Sequence, residues 1–366
     1  MNMGVYSDEG IRSFIDRGIV KILEGNDVES QIQPSSFDLT VGGRFYCLPC
    51  SSLPLKGEKL ENYFKKVSSY EFDISDGRSG FLHKGKIYVV KLNEAFDLPE
   101  YIAARANPKS SIGRVDLHVR LIIEGGGSFD DIPSGYTGEV WLELFSRSFD
   151  IQIYKGISLT QIRFFDSSVK SLSAEEISCL NRDCGIVYSL SGDSCGASSE
   201  KLMRKESLGM SVSVPESGFV GYIARDDAPS VDLSKRDLPA SLYFDKVISK
   251  GGSFIVSPES FYILYSNEII NIPVSTCAEM LDIETAVGEF RGHYAGFFDP
   301  GFSAQAVLEL RNYGQPFLLR DGQIVSGLVF FRMKNLPRVE YGASELGSNY
   351  QGQKGPRLAK FFDIEK

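Results

Sequence analysis

The sequence predicts a mainly β protein made of two tandem domains with a few short helices. Three observations carry this. A length of 366 residues matches two domains at about 150 residues each. With 25 Phe, 17 Tyr, 36 Gly and 15 Pro, the composition favours strands and tight turns over long helices. The third observation is that the chain repeats itself.

VWLELFSRSFDIQIYKGISLTQIRFF, ending at Phe165, parallels VLELRNYGQPFLLRDGQIVSGLVFF, ending at Phe331. Glu143, Gly156, Phe164 and Phe165 return as Glu309, Gly322, Phe330 and Phe331, all 166 positions on. FLHKGKIYVVKLNEAFDLP parallels FIVSPESFYILYSNEIINIP, so that Tyr88, Asn93, Glu94 and Pro99 return as Tyr262, Asn267, Glu268 and Pro273, 174 positions on. The change of offset marks a loop insertion. A weaker echo sets PSSFDL, Pro34 to Leu39, against PSVDL, Pro229 to Leu233.

Taken in order, Ser7 is placed to cap a helix through IRSFIDRGIVKIL. IYVVKL, VWLELF, FYILY and AVLELR alternate or run apolar over strand lengths between Gly, Pro and Asp turns, and read as strands. Ser173 and Glu176 form a capping box before EEISCL, and YSLSGDSCGASSEKL reads as a surface connection. The first domain is therefore expected over residues 1–205, with a helical linker at about 166–205, and the second over 206–366.

Apolar residues at 42% and charged residues at 24% describe a compact globular chain. No apolar run reaches the roughly 18 residues of a membrane span, and MNMGVYSDEG lacks a basic region followed by an apolar one, so a cytoplasmic protein without membrane contact is expected. Six cysteines are sparse for a disulfide scaffold. A net charge of -9 argues against a nucleic-acid partner, although a locally basic pocket still suits a small anion.

PKSSIGR, Pro108 to Arg114, supplies a Lys, two hydroxyls and an Arg within six residues, donors suited to phosphate oxygens; alone it reads more readily as a solvated turn than as a phosphate site. Glu309 lies between Leu308 and Leu310, and on an inward-facing strand desolvation would raise its pKa and fit it for proton transfer. Glu143 shares the LEL context and stays the runner-up base. A zinc hydrolase site is not spelled out: His83, His118 and His293 form no HxE, and Cys47 and Cys50 make a single CxxC. GFLHKGK, Gly80 to Lys86, fails as a P-loop because Ile87 stands where Ser or Thr should hold magnesium. The Gly run after Glu124 reads as a hairpin tip.

PKSSIGR, followed by VDLHV, resembles the basic-SerSer-x-x-Arg motif of the dCTP deaminases, which share the dUTPase-like trimeric β fold. QPSSFDLTVGGRF, Gln33 to Phe45, resembles their N-terminal segment. HYAGFFDPGF, His293 to Phe302, resembles the nucleoside hairpin, AVLELRN, Ala306 to Asn312, the strand of the catalytic Glu, and NYQGQKG, Asn349 to Gly355, the C-terminal glutamine segment. The resemblance implies two tandem dUTPase-like β-barrel or distorted jelly-roll domains, the double-length form of the family. Where the second half should repeat PKSSIGR it reads LDIETAV, Leu281 to Val287, and the first half replaces the hairpin by IIEGGGSFDDIPSGY, Ile122 to Tyr136, with Asp131 twelve residues before Glu143. These complementary losses leave parts for one composite site.

The resemblance further implies deamination of dCTP to dUTP and ammonia, with Glu309 as general base and acid, Ser110 and the Ala295 carbonyl positioning the water, and Arg114 stabilising developing charge. It implies that Lys109 and Ser111 border the phosphates, that Asp299 meets the deoxyribose hydroxyl, and that Val307 and Leu308 line the substrate. Gln353 with Tyr341 or Tyr350 closes a lid, and Lys354 compensates for Asn349 where the family has Lys. Magnesium is expected only through the triphosphate, without zinc. A homo-oligomer, a trimer in the first place, and inhibition by dTTP complete the expectation. The alternatives are a dUTP diphosphatase or bifunctional enzyme using Asp299, and a non-catalytic nucleotide-binding barrel.

Overall fold

The computed structural model describes residues 3–24, 27–55, 57–74, 77–188, 203–204, 206–281, 290–292 and 295–365. The first half is a nine-stranded sheet. Its path runs Leu117–Ile123, Thr137–Ser146, Ile87–Asp97, Phe37–Leu48, Ser158–Asp166, Ile102–Pro108, Asp131–Ile132, with Val20–Ile22 and Tyr70–Asp73 attached. Leu117–Ile123 also touches Ile102–Pro108, which brings the sheet to a nearly closed barrel. The second half distributes the same strands over two sheets. One is ordered Phe244–Lys250, Ser217–Ala224, Phe261–Asn271, Ser303–Asn312, Phe290–Gly292, and the other Met203–Arg204, Ser207–Ser211, Ile324–Arg332, Thr276–Leu281, Phe297–Phe298.

The sequence repeat is a structural repeat. Thr137–Ser146, Ile151–Tyr154 and Ser158–Asp166 return at an offset of 166 as Ser303–Asn312, Phe317–Arg320 and Ile324–Arg332. Ser79–Leu82 and Ile87–Asp97 return at 174 as Ser253–Val256 and Phe261–Asn271. The shared Tyr and Glu residues are structural. Tyr88 and Tyr262 accept the backbone N–H of His83 and Ser257 at 3.2 and 2.9 Å. Glu94 accepts the Thr40 backbone N–H at 3.0 Å, and Glu268 that of Ser211 at 3.0 Å. Burial raises the pKa of both carboxyls, and these hydrogen bonds oppose the rise.

These pairings correct the weakest echo. The counterpart of Thr40 is Ser211, so the repeat of PSSFDL lies on the chain entering Ser207–Ser211, and PSVDL has another task. Its Val231–Asp232 pairs in parallel with Ile151–Tyr154 of the first half, knitting the halves together. The apolar cores interlock likewise, since Tyr222, Phe244, Phe261, Ile263 and Val307 pack within the first half's core.

Two helix expectations had different outcomes. The capping box stands, with Ser173 and Glu176 exchanging hydrogen bonds at the start of helix Ala174–Cys184. The N-terminal helix stops at Asp16 rather than running through IVKIL: Gly18 adopts φ +70° and Val20–Ile22 joins the sheet. Ser7 sits at its N-cap, but the hydroxyl accepts from Asn335 instead. The expected boundary at residue 205 falls outside the described residues. Among the described residues, no helix is long and apolar enough to cross a membrane.

Candidate active site

PKSSIGR leaves the end of strand Ile102–Pro108 as one helical turn, Ser110–Gly113, preceded by Lys109. The second half lays strand Ser303–Asn312 across it. Alternation along that strand aims Val307 and Glu309 at the first half, while Leu308 and Leu310 enter the second half's own core. Leu308 is therefore not among the residues lining the cavity described below, and the side chains of Leu308 and Leu310 face away from the Glu309 carboxylate. That carboxylate lies against Gly113, where an added Cβ would stand 2.8 Å from Glu309 Cδ. Glu309 Oε2 accepts the Ala295 backbone N–H at 3.2 Å. The neighbouring Gly296 N–H donates to Asn107 Oδ1 at 2.7 Å, which pins the hairpin to the phosphate-motif strand.

Lys109, Ser110, Ser111 and Arg114 line one wall of a cavity of about 250 Å³, and Ala295, Asp299, Val307 and Glu309 line the other. The composite site thus forms within a single chain. Arg114 is buried; burial lowers its pKa, and Tyr350 and Glu309 oppose that. Its guanidinium lies 3.7 Å from the Tyr350 ring centroid and donates to Gln353 Oε1 at 3.2 Å and to the Arg357 carbonyl at 2.9 Å. Ser111 Oγ meets Tyr350 OH at 2.6 Å. The C-terminal segment is strapped down by Gln353 Nε2 donating to the Gln305 carbonyl at 2.9 Å. Tyr341, Tyr350 and Gln353 thereby border the cavity together.

Lys354 is exposed and outside the cavity. Gln353 is held inward by its bonds to Gln305 and Arg114 while its neighbour Lys354 stays in solvent. Lys360 lines the cavity instead, and burial together with Lys109 and Arg236 pulls its ammonium down to about 8. Asp38, which pairs with Lys109, and Gln33 and Gln161 are further lining residues that motif reading missed. Gln33 and Asp38 lie inside the QPSSFDLTVGGRF segment, which marked the stretch but not these residues, and Gln161 is brought beside Asp38 by strand pairing. His293 and Tyr294 lie outside the described residues, as does LDIETAV beyond Leu281.

The first half's own glutamate is in a different setting. Glu143 faces a roof made by residues 49–55 and 57–69, where Ser51 Oγ donates to its Oε1 at 2.8 Å and the helix Leu60–Val67 packs near Trp141. Burial raises its pKa. The hairpin register sharpens the sequence reading as well. Ile132 pairs with Ala104 as Phe298 pairs with Ala278, so the counterpart of Asp299 is Pro133, not Asp131. Asp131 is engaged instead with Arg105 at 2.9 Å.

Residues 2–168 match the family model of the 2'-deoxycytidine 5'-triphosphate deaminase N-terminal domain, and residues 192–362 that of its C-terminal domain. The crystal structure of 2'-deoxycytidine 5'-triphosphate deaminase from Agrobacterium tumefaciens aligns with a TM-score of 0.81 and 33% identity, covering 91% of this chain and 100% of that one. The chain belongs to this family. A dCTP deaminase of Haloarcula marismortui is 34% identical over 136 residues, 36% of this chain and 69% of that protein. A relative in Leifsonia xyli named dCTP deaminase, dUMP-forming, is 32% identical over 138 residues, 37% of this chain and 67% of the relative. A Streptomyces avermitilis protein of the same name is 34% identical over 113 residues, which span 30% of this chain and 59% of that protein.

Proposed function

We propose that this chain hydrolyses dCTP to dUTP and ammonia. The observation that carries the reading is the buried Glu309 carboxylate, held by the second half against the Gly113 turn of the first, beside Arg114 and open to a cavity edged with Lys109, Ser111 and Lys360. Family membership supports it.

Water would be held near Ser110 and Ala295 and lose a proton to Glu309 as its oxygen bonds to the amino-bearing ring carbon. Glu309 passes that proton to the ring nitrogen, takes a second from the new hydroxyl and gives it to the amine; the carbonyl forms as the carbon–nitrogen bond breaks and ammonia leaves. Arg114, already desolvated, opposes charge that develops only on the way to the tetrahedral species. Asp299 would take the sugar hydroxyl, and the basic edge the phosphates.

Magnesium fits this site only as a companion of the phosphates. The lining carboxylates are engaged, Asp38 with Lys109, Asp299 with Ser35 and Arg163, and Glu309 with the Ala295 N–H. When bound, the ion would neutralise phosphate charge. The reading also takes the protein to be zinc-free and cytoplasmic, to assemble with copies of itself as a trimer, and to bind dTTP as an inhibitor. A second reading, in which pyrophosphate is also released to give dUMP, rests on the names of the Leifsonia and Streptomyces relatives.

Incubation with dCTP and magnesium, with ammonia, dUTP, dUMP and pyrophosphate all quantified, separates the readings. Ammonia in step with dUTP supports the first, and ammonia with dUMP and pyrophosphate the second. Binding without ammonia contradicts both.

A further inference from the structure

Arg163 lies on strand Ser158–Asp166 of the first half, yet its side chain is spent wholly on the second half. Nη1 donates to the Ala278 carbonyl at 2.7 Å, and Nη2 to the Phe298 carbonyl at 2.7 Å and Asp299 Oδ1 at 3.3 Å. The guanidinium also lies 4.2 Å from the Phe297 ring centroid. Ser35, from the first half's N-terminal segment, donates to the same Asp299 oxygen at 2.5 Å. Arg163, Ser35 and Asp299 are all buried. Burying a guanidinium is costly unless its donors are met; both Nη atoms are met here although the buried Nε is not, so the group is held by its Nη contacts and is not a drifting surface charge.

The internal repeat acts as a control. The counterpart of Arg163, 166 positions on, is Val329, and the counterpart of Asp299 is Pro133. Each half has therefore kept one member of an Arg–Asp pair only where the pair meets across the composite cavity. A general need of the barrel would have kept the Arg in both halves.

We propose that Arg163 and Ser35 are specificity-determining positioning residues: by holding Oδ1 of Asp299 they present its second oxygen to the 3'-hydroxyl of the nucleotide, the one free hydroxyl of a deoxyribose triphosphate. This rests on the sugar placement given above. Two donors on one oxygen fix the carboxylate rotamer, so the sugar contact needs no reorganisation on binding. A carboxylate freed from Arg163 would rotate, and the hydroxyl would lose its advantage over a hydrogen atom.

The test compares dCTP with 2',3'-dideoxy-CTP, both with magnesium. Binding is read by calorimetry on the full chain carrying Glu309→Gln, with and without Arg163→Lys or Ser35→Ala. Without either change the dideoxy analogue is expected to bind about ten- to a hundredfold more weakly, as for loss of a hydrogen bond to a charged group. With Arg163→Lys the preference is expected to fall below about threefold, and with Ser35→Ala to an intermediate value. A purely structural role would weaken both ligands equally and leave their ratio unchanged, which overturns the inference. Ser35→Ala keeps the test open if Arg163→Lys fails to fold. A ratio near one before either change removes Asp299 from the sugar, and the inference with it. Failure of the deaminase reading itself is seen separately, as absence of ammonia from dCTP with the unaltered chain.

Discussion

Gly113→Ala probes how closely the two halves must meet. Gly113 is not held at a positive φ, so the backbone accepts alanine, and removing a glycine from a helical turn commonly stabilises by about 0.4–1 kcal/mol. The obstacle is the partner: the new Cβ would press hardest on Glu309 Oε2 and would stand 2.8 Å from both Cδ and Oε1 of the same carboxylate. Restoring ordinary contact at about 3.4 Å with Oε2 requires the carboxylate to retreat by about 1 Å, and misplacement of a reacting group by that much costs on the order of a hundredfold. We expect kcat for ammonia release to fall by about ten- to a hundredfold, with KM within a few fold of its original value and an unchanged or raised melting temperature. Steady-state ammonia assays and thermal unfolding read both. Full kcat in a folded Gly113→Ala protein would refute the argument that Glu309 works against this turn.

Two further predictions follow from other charges. Free Lys360 loses its proton near pH 8, below the unfolded lysine value of about 10.5, so nucleotide-free stability should rise with pH between these values. A bound triphosphate favours the charged form, so affinity should weaken as pH rises through 8; Lys360→Gln should flatten that profile and weaken binding at pH 7 by about tenfold, and an unaltered profile would remove Lys360 from the phosphates. Asp116, buried at φ +55°, is paired with Arg311, and Ser148 Oγ donates to it at 2.6 Å. Asn tolerates that backbone, so Asp116→Asn isolates the charge and should cost about 3 kcal/mol in denaturant unfolding, with a loss below about 0.5 kcal/mol contradicting a stabilising clamp between the halves.

Much of the fold was legible because the repeat fixes strand lengths twice. The eight-residue change of offset falls between Ala104, still at 174, and Ile132, already at 166, which places the expected loop insertion in the first half between these residues. PSSFDL was matched wrongly because five similar letters carry less information than the Glu94 and Glu268 latches, which are visible only in space. The motif residues Lys109, Ser110, Ser111, Arg114, Glu309 and Gln353 all reached the cavity, since motifs are local and the turn and strand deliver them intact. Leu308 and Lys354 did not, and strand alternation would have warned of the first. Ser35, Asp38, Arg163 and Lys360 were beyond local reading because their partners lie far along the chain. Arg163 had one available signal, its mismatch with Val329 inside an otherwise apolar repeat.

One composite site per chain with Glu309 as its base requires the two repeat-related glutamates to differ sharply in turnover. The most direct measurement is ammonia release from dCTP by Glu309→Gln and Glu143→Gln side by side, with dCTP binding measured on both. Loss of a positioned base costs about a hundred- to ten-thousandfold. That loss is expected for Glu309→Gln with binding retained, and near-full turnover for Glu143→Gln, whose carboxyl is roofed by residues 49–55 and 57–69 and accepts from Ser51. Turnover that survives Glu309→Gln and vanishes with Glu143→Gln would contradict it.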